Sequence, residues 1–430
     1  MIRGLLAALA VAALSALLVA PAPSYDPWAW LLWGRELTAL ELSTAEGPAF
    51  KPLPVAVCAL LAPLGGAAPA LWVIVARTGA VLAVWLAFRL GRRLGNSIAA
   101  GVLAAAGVAL CGGFVGYAAA GAETGWTIAL ALAAAEAWRS GHPRAALACG
   151  LGCALLRVEA WPFLLAAGIV LWRRRPQDRA LLAACAVAVP ALWFVPELLG
   201  SGDVLRSGSR ARVPNPGQPA TAAVPALAAL REAATLLLWP LLGGAVAAIW
   251  LARPARGVLA VGLAWIALVA VMAQAGFSGE PRYSLPGGAL VAIAGAAGLV
   301  ALVRAGPRIA APAAAAIVLA AAAPKLADLP ELRSDQAYAS GLAADLERVI
   351  GAAGGRAGLL ACGRPYVGHL RGPLLAYHLD VEKRRVGFVP APPGTVFRSR
   401  LHARDAPEPA AGPPFATAAR AGRWEVRLAC

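Results

Sequence analysis

The sequence predicts a polytopic α-helical membrane protein with a small α/β domain at its C-terminal end. Composition is the first observation: of 430 residues, 60% are hydrophobic and only 14% are charged, whereas a typical soluble domain is about 25% charged. The second is a series of apolar runs of about 20 residues, the length that crosses a bilayer. The third is the position of the arginines, which cluster between these runs.

The apolar runs predict about eleven membrane helices, of which two form a short pair. The full-length candidate spans are 3–20, 68–89, 97–119, 122–138, 180–199, 233–252, 258–275, 284–303 and 309–323. Residues 145–172 are too few for two full spans, so they predict two short helices that turn around LLRVEAWP (155–162). Such a broken element is tolerated at membrane depth where protein shields it or where it lines a wet cavity.

The net charge of +16 is interpreted as topology, not as a nucleic-acid-binding surface. Five arginine-rich connectors, among them RLGRRLG (89–95) and WRRRPQDR (172–179), all fall on one side of an alternating topology. The positive-inside rule puts that side in the cytoplasm. The segments 21–67, 200–231 and 276–284 then face outside, and so does the tail that follows the last span.

The tail predicts a different kind of structure. SDQAYASGLAADLERVIGAAGG predicts a helix that begins at Ser334 or Asp335. Five short apolar runs bounded by Gly, Pro and charge then predict strands: AGLLACG, GPLLAYHLD, RVGFVP, TVFRS and WEVRLAC. The predicted domains are therefore a membrane domain, 1–323, and an extracytoplasmic α/β domain, 324–430. Oxidising surroundings would permit a disulfide between Cys362 and Cys430, and the sequence leaves their pairing open.

Residues 1–20 could be mistaken for a secretory signal peptide, since Arg3 precedes an apolar stretch that ends in small residues. We expect a retained first helix. Cleavage would separate Asp26 from the membrane that Trp28, Trp30 and Trp33 indicate.

Charged and polar side chains of the predicted outer side supply the candidate site. A carboxylate can remove the proton from an attacking hydroxyl group, and cations can hold an anionic phosphate as it leaves. Asp26 is the candidate catalytic base. The candidate substrate-binding residues are Lys51, Glu123, Arg157, Glu159, Arg210, Arg212, Arg282 and Tyr283.

Each candidate also has a structural interpretation. Asp26 precedes a proline and could cap a surface helix, Lys51 could extend toward the interface, and Arg157 with Glu159 could be a structural ion pair. Arg282 and Tyr283 could anchor a span at the interface, and the segment RARVPNP (210–216) could be a surface loop.

The order of these motifs resembles the GT-C superfamily of glycosyltransferases that use polyprenyl-phosphate sugars. The resemblance covers about residues 1–305 and includes Asp26 after the first span, KPLP (51–54), GAETG (121–125), LLRVEAWPF and GEPRYS. Within this superfamily, the sequence is most similar to a bacterial branch of dolichol-phosphate-mannosyltransferase-like membrane proteins, whose motifs often read RPEAWPF and GNPRY. Val158 and Glu280 replace the proline and asparagine of those motifs.

The resemblance implies a sugar transfer, by a hexosyl- or pentosyltransferase, at the outer face of a bacterial plasma membrane. The donor would be a polyprenyl-phosphate sugar and the acceptor an envelope glycan, a glycolipid or a protein. It implies that Asp26 is the base, that Glu123 binds substrate or metal, and that Arg282 contacts the lipid phosphate. Some relatives use a divalent cation; because no DxD or ExD pair follows Asp26, an obligatory metal is not expected, and none is assigned.

Two other functions remain open from the sequence. A flippase or transporter for lipid-linked sugars predicts charges along a whole membrane path and, commonly, internal repeats. A non-catalytic envelope-assembly protein predicts that Asp26 only caps its helix or faces bulk water.

Overall fold

The computed structural model describes residues 2–430, and most of them are helical. The helices of the first part are α1 Ile2–Ser15, α2 Tyr25–Thr38, α3 Pro52–Leu61, α4 Ala68–Gly95, α5 Ile98–Ala109, α6 Phe114–Ala119, α7 Thr124–Arg139, α8 Pro143–Ala154 and α9 Trp161–Arg174. Those that follow are α10 Arg179–Ser201, α11 Arg206–Ala211, α12 Pro225–Leu236, α13 Trp239–Leu251, α14 Arg256–Gln274, α15 Pro281–Ala305, α16 Ala310–Ala327, α17 Leu329–Ala352, α18 Gly355–Ala361 and α19 Gly372–Leu379.

The protein is a multi-pass membrane protein. Among the described residues, five helical stretches are long and apolar enough to cross a membrane, and α12 with α13 makes a sixth if that pair counts as one span. The five are Pro52–Gly95, Pro176–Ser201, Arg253–Gln274, Pro281–Ala305 and Ala310–Ala352. The predicted short pair is present as α8 and α9, which are joined by a 3-10 turn at Val158–Ala160. The predicted total of about eleven membrane helices stays a prediction.

Two predicted spans are broken. The span 97–119 divides into α5 and α6, and Gly113 between them has a left-handed φ of 76° that glycine adopts at little cost. The span 233–252 divides into α12 and α13, which are bent by 102°. Leu237 and Leu238 are extended at the bend. Pro240 stands in the first turn of α13, where its missing N–H has no helical partner to lose.

Helix α15 is the centre of the membrane part and is buried from Ser284 to Val300. Its glycines let it approach α13 closely. A Cβ atom on Gly295 would lie 2.1 Å from the carbonyl oxygen of Leu241, and one on Gly298 would lie 2.0 Å from that of Gly244. Small residues at helix interfaces allow such close packing in membranes, so this contact sets the position of α15 relative to α13.

Arg77 connects three elements inside the membrane part. It lies on α4 and is 6% exposed. Its guanidinium donates hydrogen bonds to Ser15 Oγ at 3.2 Å and to the carbonyls of Val19, Ala20 and Ala119 at 2.9, 3.2 and 3.1 Å. It thereby satisfies carbonyl groups near the end of α1 that no helix turn satisfies.

The tail forms a four-stranded sheet with the order β1-β2-β4-β3. β1 and β2 are parallel, and the other pairs are antiparallel. The strands are β1 Arg364–Val367, β2 Gly394–Arg398, β3 Ala416–Ala421 and β4 Trp424–Ala429. A disulfide joins Cys362 to Cys430 and ties the end of α18 to the end of β4. The small C-terminal α/β part is thus confirmed, while the boundary at residue 324 stays a prediction.

Several elements predicted in the tail are wrong. The runs AGLLACG and GPLLAYHLD are largely helical, as α18 and α19. In the second, Pro373 stands in the first turn, a position that suits proline. RVGFVP contributes only an isolated bridge, Tyr366 to Gly387. The predicted start at Ser334 or Asp335 is also wrong, because α17 begins at Leu329, with Asp328 in the N-cap position and Pro330 in the first turn.

The tail packs on the surface helix α2 and on the loop that follows it. Arg35 Nη1 lies 3.0 Å from Asp380 Oδ1 and 2.9 Å from the carbonyl oxygen of Tyr377. Lys383, which is 2% exposed, donates a 2.9 Å hydrogen bond to Glu46 Oε2. These contacts hold α2 and the loop that follows it against α19 and the 3-10 turn Lys383–Arg385.

We expect Arg77→Met to lower the free energy of unfolding by roughly 3 kcal/mol, because the substitution leaves several buried polar partners without a donor. Thermal unfolding in detergent measures the loss. Arg92→Gln is the matched control, since Arg92 is exposed on the same helix and should leave the melting temperature unchanged. Equal melting temperatures for the Arg77 variant and the wild type would contradict the structural role.

Glu36 should make stability depend on pH near neutrality. Burial and the neighbouring charge of Glu382 raise its pKa to about 7, although the Ser43 N–H donates a 3.0 Å hydrogen bond to Oε2. Because the pKa is raised above its value of 4.5 in the unfolded chain, the stabilisation is fully present below pH 4.5 and is lost as the pH rises through 7.

Between pH 5.5 and 8, ionisation of Glu36 should lower the free energy of unfolding of the wild type by about 2 kcal/mol. The Glu36→Gln variant should not show this decrease, because its side chain does not ionise. Melting temperatures of both proteins across the pH range provide the measurement, and parallel curves would contradict the prediction.

Candidate functional site

Five of the predicted site residues lie where helices begin. Asp26 is in the first turn of α2, Lys51 immediately precedes α3, and Glu123 immediately precedes α7. Arg157 immediately precedes the 3-10 turn between α8 and α9, and Arg282 is in the first turn of α15. These helix starts lie at one end of the bundle, on the predicted outer side.

Four of these side chains form a buried ionic cluster. Glu123 Oε1 accepts hydrogen bonds from Lys51 Nζ at 2.5 Å and from Arg157 Nη1 at 3.3 Å. Arg157 also binds Glu159 in a two-pronged contact, with Nε to Oε2 at 3.1 Å and Nη2 to Oε1 at 2.5 Å. All four residues are less than 9% exposed. Buried charges persist only when they are paired in this way.

Tyr283 connects this cluster to Asp26. The guanidinium carbon of Arg157 lies 3.7 Å from the centroid of the Tyr283 ring, and that of Arg282 lies 5.5 Å from it. Arg282 in turn places Nη2 3.0 Å from Asp26 Oδ2 and Nε 3.0 Å from Glu280 Oε2. Seven of the nine predicted residues therefore belong to one connected group: Asp26, Lys51, Glu123, Arg157, Glu159, Arg282 and Tyr283.

Asp26 is not the N-cap of its helix. Helix α2 begins at Tyr25, and Ser24 occupies the N-cap position. The Asp26 carboxylate contacts Arg282 and is 12% exposed. The structural interpretation of Asp26 as a cap is therefore wrong, although the carboxylate does sit in a first turn, where negative charge is favourable.

A cavity of about 430 Å³ opens beside the ionic cluster. The rest of its lining is mainly apolar, and its polar lining consists of Lys51, Arg157, Glu159, Ser207, Ser209, Arg212, Ser278 and Tyr283. The apolar lining includes Trp161, Trp193, Phe194, Val269, Met272 and Phe277. Within residues 2–430, the side chains of Asp26, Glu123 and Arg282 are not part of this lining.

A second, apolar groove of about 800 Å³ lies between α8, α9 and α10. Trp161 lines both the cavity and the groove, so the two spaces adjoin at this residue. The groove is lined by leucine, tryptophan, proline and small residues, with Arg173 as its charged member. Such a lining suits a hydrocarbon chain.

Arg210, in the last turn of α11, and Arg212, directly after that helix, are separate from the ionic cluster. Arg210 donates a 2.9 Å hydrogen bond to the carbonyl oxygen of Val213. Arg212 lies over the Phe277 ring at 4.8 Å and lines the cavity. Arg212 can therefore reach a ligand in the cavity, and Arg210 holds the turn that follows α11.

Sequence patterns do not single out Glu197 and Ser207. Glu197 lies in the predicted span 180–199 and is 1% exposed, and Ser207 lines the cavity. A carboxylate inside an apolar span is the signal that could have found the first. The polar segment 200–231, in which Ser207 lies on the short helix α11, carries no such signal.

In the described part of the chain, no group of three or more His, Cys, Asp or Glu side chains is arranged to hold a metal ion. The expectation that no metal is obligatory stays a prediction.

No protein-family model matches the chain, and no curated protein matches it. Its fold is similar to that of ArnT from Cupriavidus metallidurans, in a crystal structure with undecaprenyl phosphate bound. The two share 15% sequence identity at a TM-score of 0.50, over 99% of this chain and 97% of ArnT. The fold is GT-C-like. This likeness, with the helical membrane part and the small C-terminal sheet, confirms the predicted fold class.

Lys51 and Glu123 should depend on each other for stability. Lys51→Met leaves the Glu123 carboxylate buried with one fewer cation, which should lower the free energy of unfolding by about 3 kcal/mol. The double variant Lys51→Met with Glu123→Gln removes both charges and should recover most of that loss. Thermal unfolding of the wild type, the two single variants and the double variant forms the cycle. Additive losses would show that the two side chains do not interact.

Proposed function

We propose that the protein is a membrane glycosyltransferase that transfers a sugar from a polyprenyl-phosphate donor. The acceptor is an envelope glycan, a glycolipid or a protein hydroxyl group on the outer face of a bacterial plasma membrane. The main support for the proposal is the composition of the cavity. Its polar lining includes Lys51 and Arg157, and it adjoins an apolar groove at Trp161.

The polar part of the cavity suits the donor phosphate. The Lys51 ammonium group has three N–H donors and the Arg157 guanidinium has five. Glu123 and Glu159 take only some of these in the described contacts. The remaining donors can form charge-assisted hydrogen bonds to phosphate oxygens. The carboxylates meanwhile hold both cations in place before the donor binds, which avoids the cost of ordering them later.

The apolar groove suits the polyprenyl chain. It lies between membrane helices, so a lipid can enter it from the side while its phosphate reaches the polar cavity past Trp161. The likeness to ArnT, whose structure holds undecaprenyl phosphate, supports a donor of this class.

The proposed reaction needs one base and no acid. The acceptor hydroxyl oxygen attacks the anomeric carbon, and the bond from that carbon to the phosphate oxygen breaks with its electron pair on the phosphate. Asp26 takes the hydroxyl proton on a carboxylate oxygen. Its carboxylate does not line the cavity, and it is joined to the cavity wall by Arg282, which lies 3.0 Å from Oδ2 and contacts the lining residue Tyr283. The phosphate leaves as an anion that Lys51, Arg157 and, through a small shift, Arg282 stabilise.

The contacts of the C-terminal part support a role for it in binding the acceptor. Residues 324–430 form the proposed extracytoplasmic domain, and Lys383 and Asp380 fasten it to the loop and the helix that carry Lys51 and Arg35. An acceptor bound on this surface would lie close to the cavity. The sugar, the stereochemical outcome and a mannosyltransferase-like preference are left to the donor experiment.

The transporter alternative has weaker support. The buried ionic cluster lies at one end of the helices, where a transport path would need polar groups through the membrane. The assembly-protein alternative predicted that Asp26 only caps its helix or faces bulk water, and the Asp26 carboxylate instead contacts Arg282 and is 12% exposed.

Asp26→Asn should lower kcat for sugar transfer by about 100-fold or more, because it removes the proton acceptor and keeps the shape. The assay uses the purified protein in lipid nanodiscs with a panel of polyprenyl-phosphate hexoses and pentoses. Glu41→Gln is the matched control, since Glu41 is an exposed carboxylate in the loop after α2, and it should transfer as the wild type does.

Equal transfer by the wild type and the Asp26 variant would exclude Asp26 as the base and direct the search to Glu123 and Glu159. An intact wild-type protein that transfers none of the donors would contradict the proposed function and favour transport or assembly.

A further inference from the structure

The proposed reaction does not use Glu197, a buried carboxylate near the end of α10. Its side chain is 1% exposed. Ser207 on α11 donates its hydroxyl proton to Glu197 Oε1, and Arg206 Nη1 lies 3.6 Å from the same oxygen. Over residues 2–430, Glu197 Oε2 has no hydrogen-bond partner. A buried carboxylate oxygen without a partner is unfavourable and calls for an explanation.

Ser207 and its neighbour Arg206 form hydrogen bonds with the segment that directly precedes Lys51. The Phe50 N–H donates a 2.7 Å hydrogen bond to Ser207 Oγ. Arg206 donates to the two carbonyl oxygens of residues 47–48, at 2.8 and 2.7 Å. Lys51 directly follows Phe50, and both Lys51 and Ser207 line the cavity. The hydroxyl group and the ammonium group are therefore held on the same cavity wall.

The existing hydrogen bonds determine what Ser207 can offer to a ligand. The Ser207 hydroxyl group donates its proton to Glu197, and one of its lone pairs accepts the hydrogen bond from the Phe50 N–H. A hydroxyl oxygen has a second lone pair, so Ser207 presents an acceptor to the cavity. An acceptor binds a ligand hydroxyl group and repels the oxygens of a phosphate anion. The ligand group that fits is therefore a sugar hydroxyl.

We propose that Ser207 and Glu197 form a hydroxyl-recognition site that selects the sugar of the donor. Ser207 contacts one sugar hydroxyl group, and Glu197 is a positioning residue that orients the serine proton away from the cavity. The inference rests on the proposed function, because Lys51 holds the phosphate to which that sugar is attached. A site built to bind a hydroxyl group rejects the analogue that lacks it, since the protein group is then left without its partner.

The test measures binding without requiring transfer. The full-length protein in detergent is titrated with a hexose 1-phosphate, with its monodeoxy analogues and with inorganic phosphate. Tryptophan fluorescence reports occupancy, because Trp161 and Trp193 line the cavity. For the wild type, at least one deoxy analogue should bind about 10-fold more weakly than the parent sugar phosphate.

Ser207→Ala should bind that analogue and the parent alike, and Ser207→Thr, which keeps the hydroxyl group, should retain the preference. Glu197→Gln should reduce the preference, because a neutral amide orients the serine proton less strongly. Ser209→Ala is the matched control, since Ser209 lines the same cavity from the same helix, and its preference should match that of the wild type.

A preference that survives Ser207→Ala, or that is lost equally in the Ser209 variant, overturns the inference. A wild type that binds all analogues and inorganic phosphate alike also overturns it. A merely structural role would weaken every ligand equally and leave the ratio unchanged.

Transfer from the corresponding lipid-linked donors separates the two proposals. Selective binding by a wild type that transfers no sugar contradicts the proposed function, and it leaves Ser207 as a site that recognises a hydroxyl group of a bound sugar phosphate. Transfer whose dependence on the sugar hydroxyl is unchanged in Ser207→Ala contradicts the recognition site alone.

Discussion

The buried carboxylate of Glu123 is the constraint on which the geometry of the site depends. A charge at 1% exposure must be paired, and its two partners, Lys51 and Arg157, are 72 and 34 residues away along the chain. Pairing therefore requires the starts of several helices to meet at one end of the bundle. Because Arg157 also binds Glu159 and packs on Tyr283, the same constraint extends to α15 and, through Arg282, to Asp26.

Packing in the membrane part sets the position of these helix starts. Gly295 and Gly298 bring α15 into backbone contact with α13, so α15 has little freedom to slide or rotate. Arg77 holds the end of α1 against α4, and α2 follows this end after a short segment. Rigid helices thus carry Asp26 and Arg282, and a carboxylate and a guanidinium 3.0 Å apart need that rigidity.

The loop between α2 and α3 connects the tail to the cavity. Lys383 binds Glu46, Arg206 binds the carbonyls of Gly47 and Pro48, and Lys51 enters the ionic cluster. One short segment therefore contacts the C-terminal part, α11 and the candidate site in succession. The Cys362–Cys430 disulfide links α18 to the end of β4 in the same C-terminal part.

The sequence by itself determined the membrane class, the helix-rich fold with a small C-terminal sheet, and the seven connected residues of the candidate site, but not Glu197 or Ser207. These properties follow from local features: the length of the apolar runs, the placement of the arginines and the charges at helix starts. In a bilayer such features determine which segments span the membrane and how they are oriented. The tertiary structure decided where helices break and which distant side chains pair, which local sequence patterns do not determine. It separated α12 from α13 and turned two predicted strands into helices, because burial against neighbours overrides short apolar runs. It also paired Lys51 with Glu123, Arg282 with Asp26 and Ser207 with Glu197, because the partners of a buried charge are chosen by distance in space and not by distance along the chain.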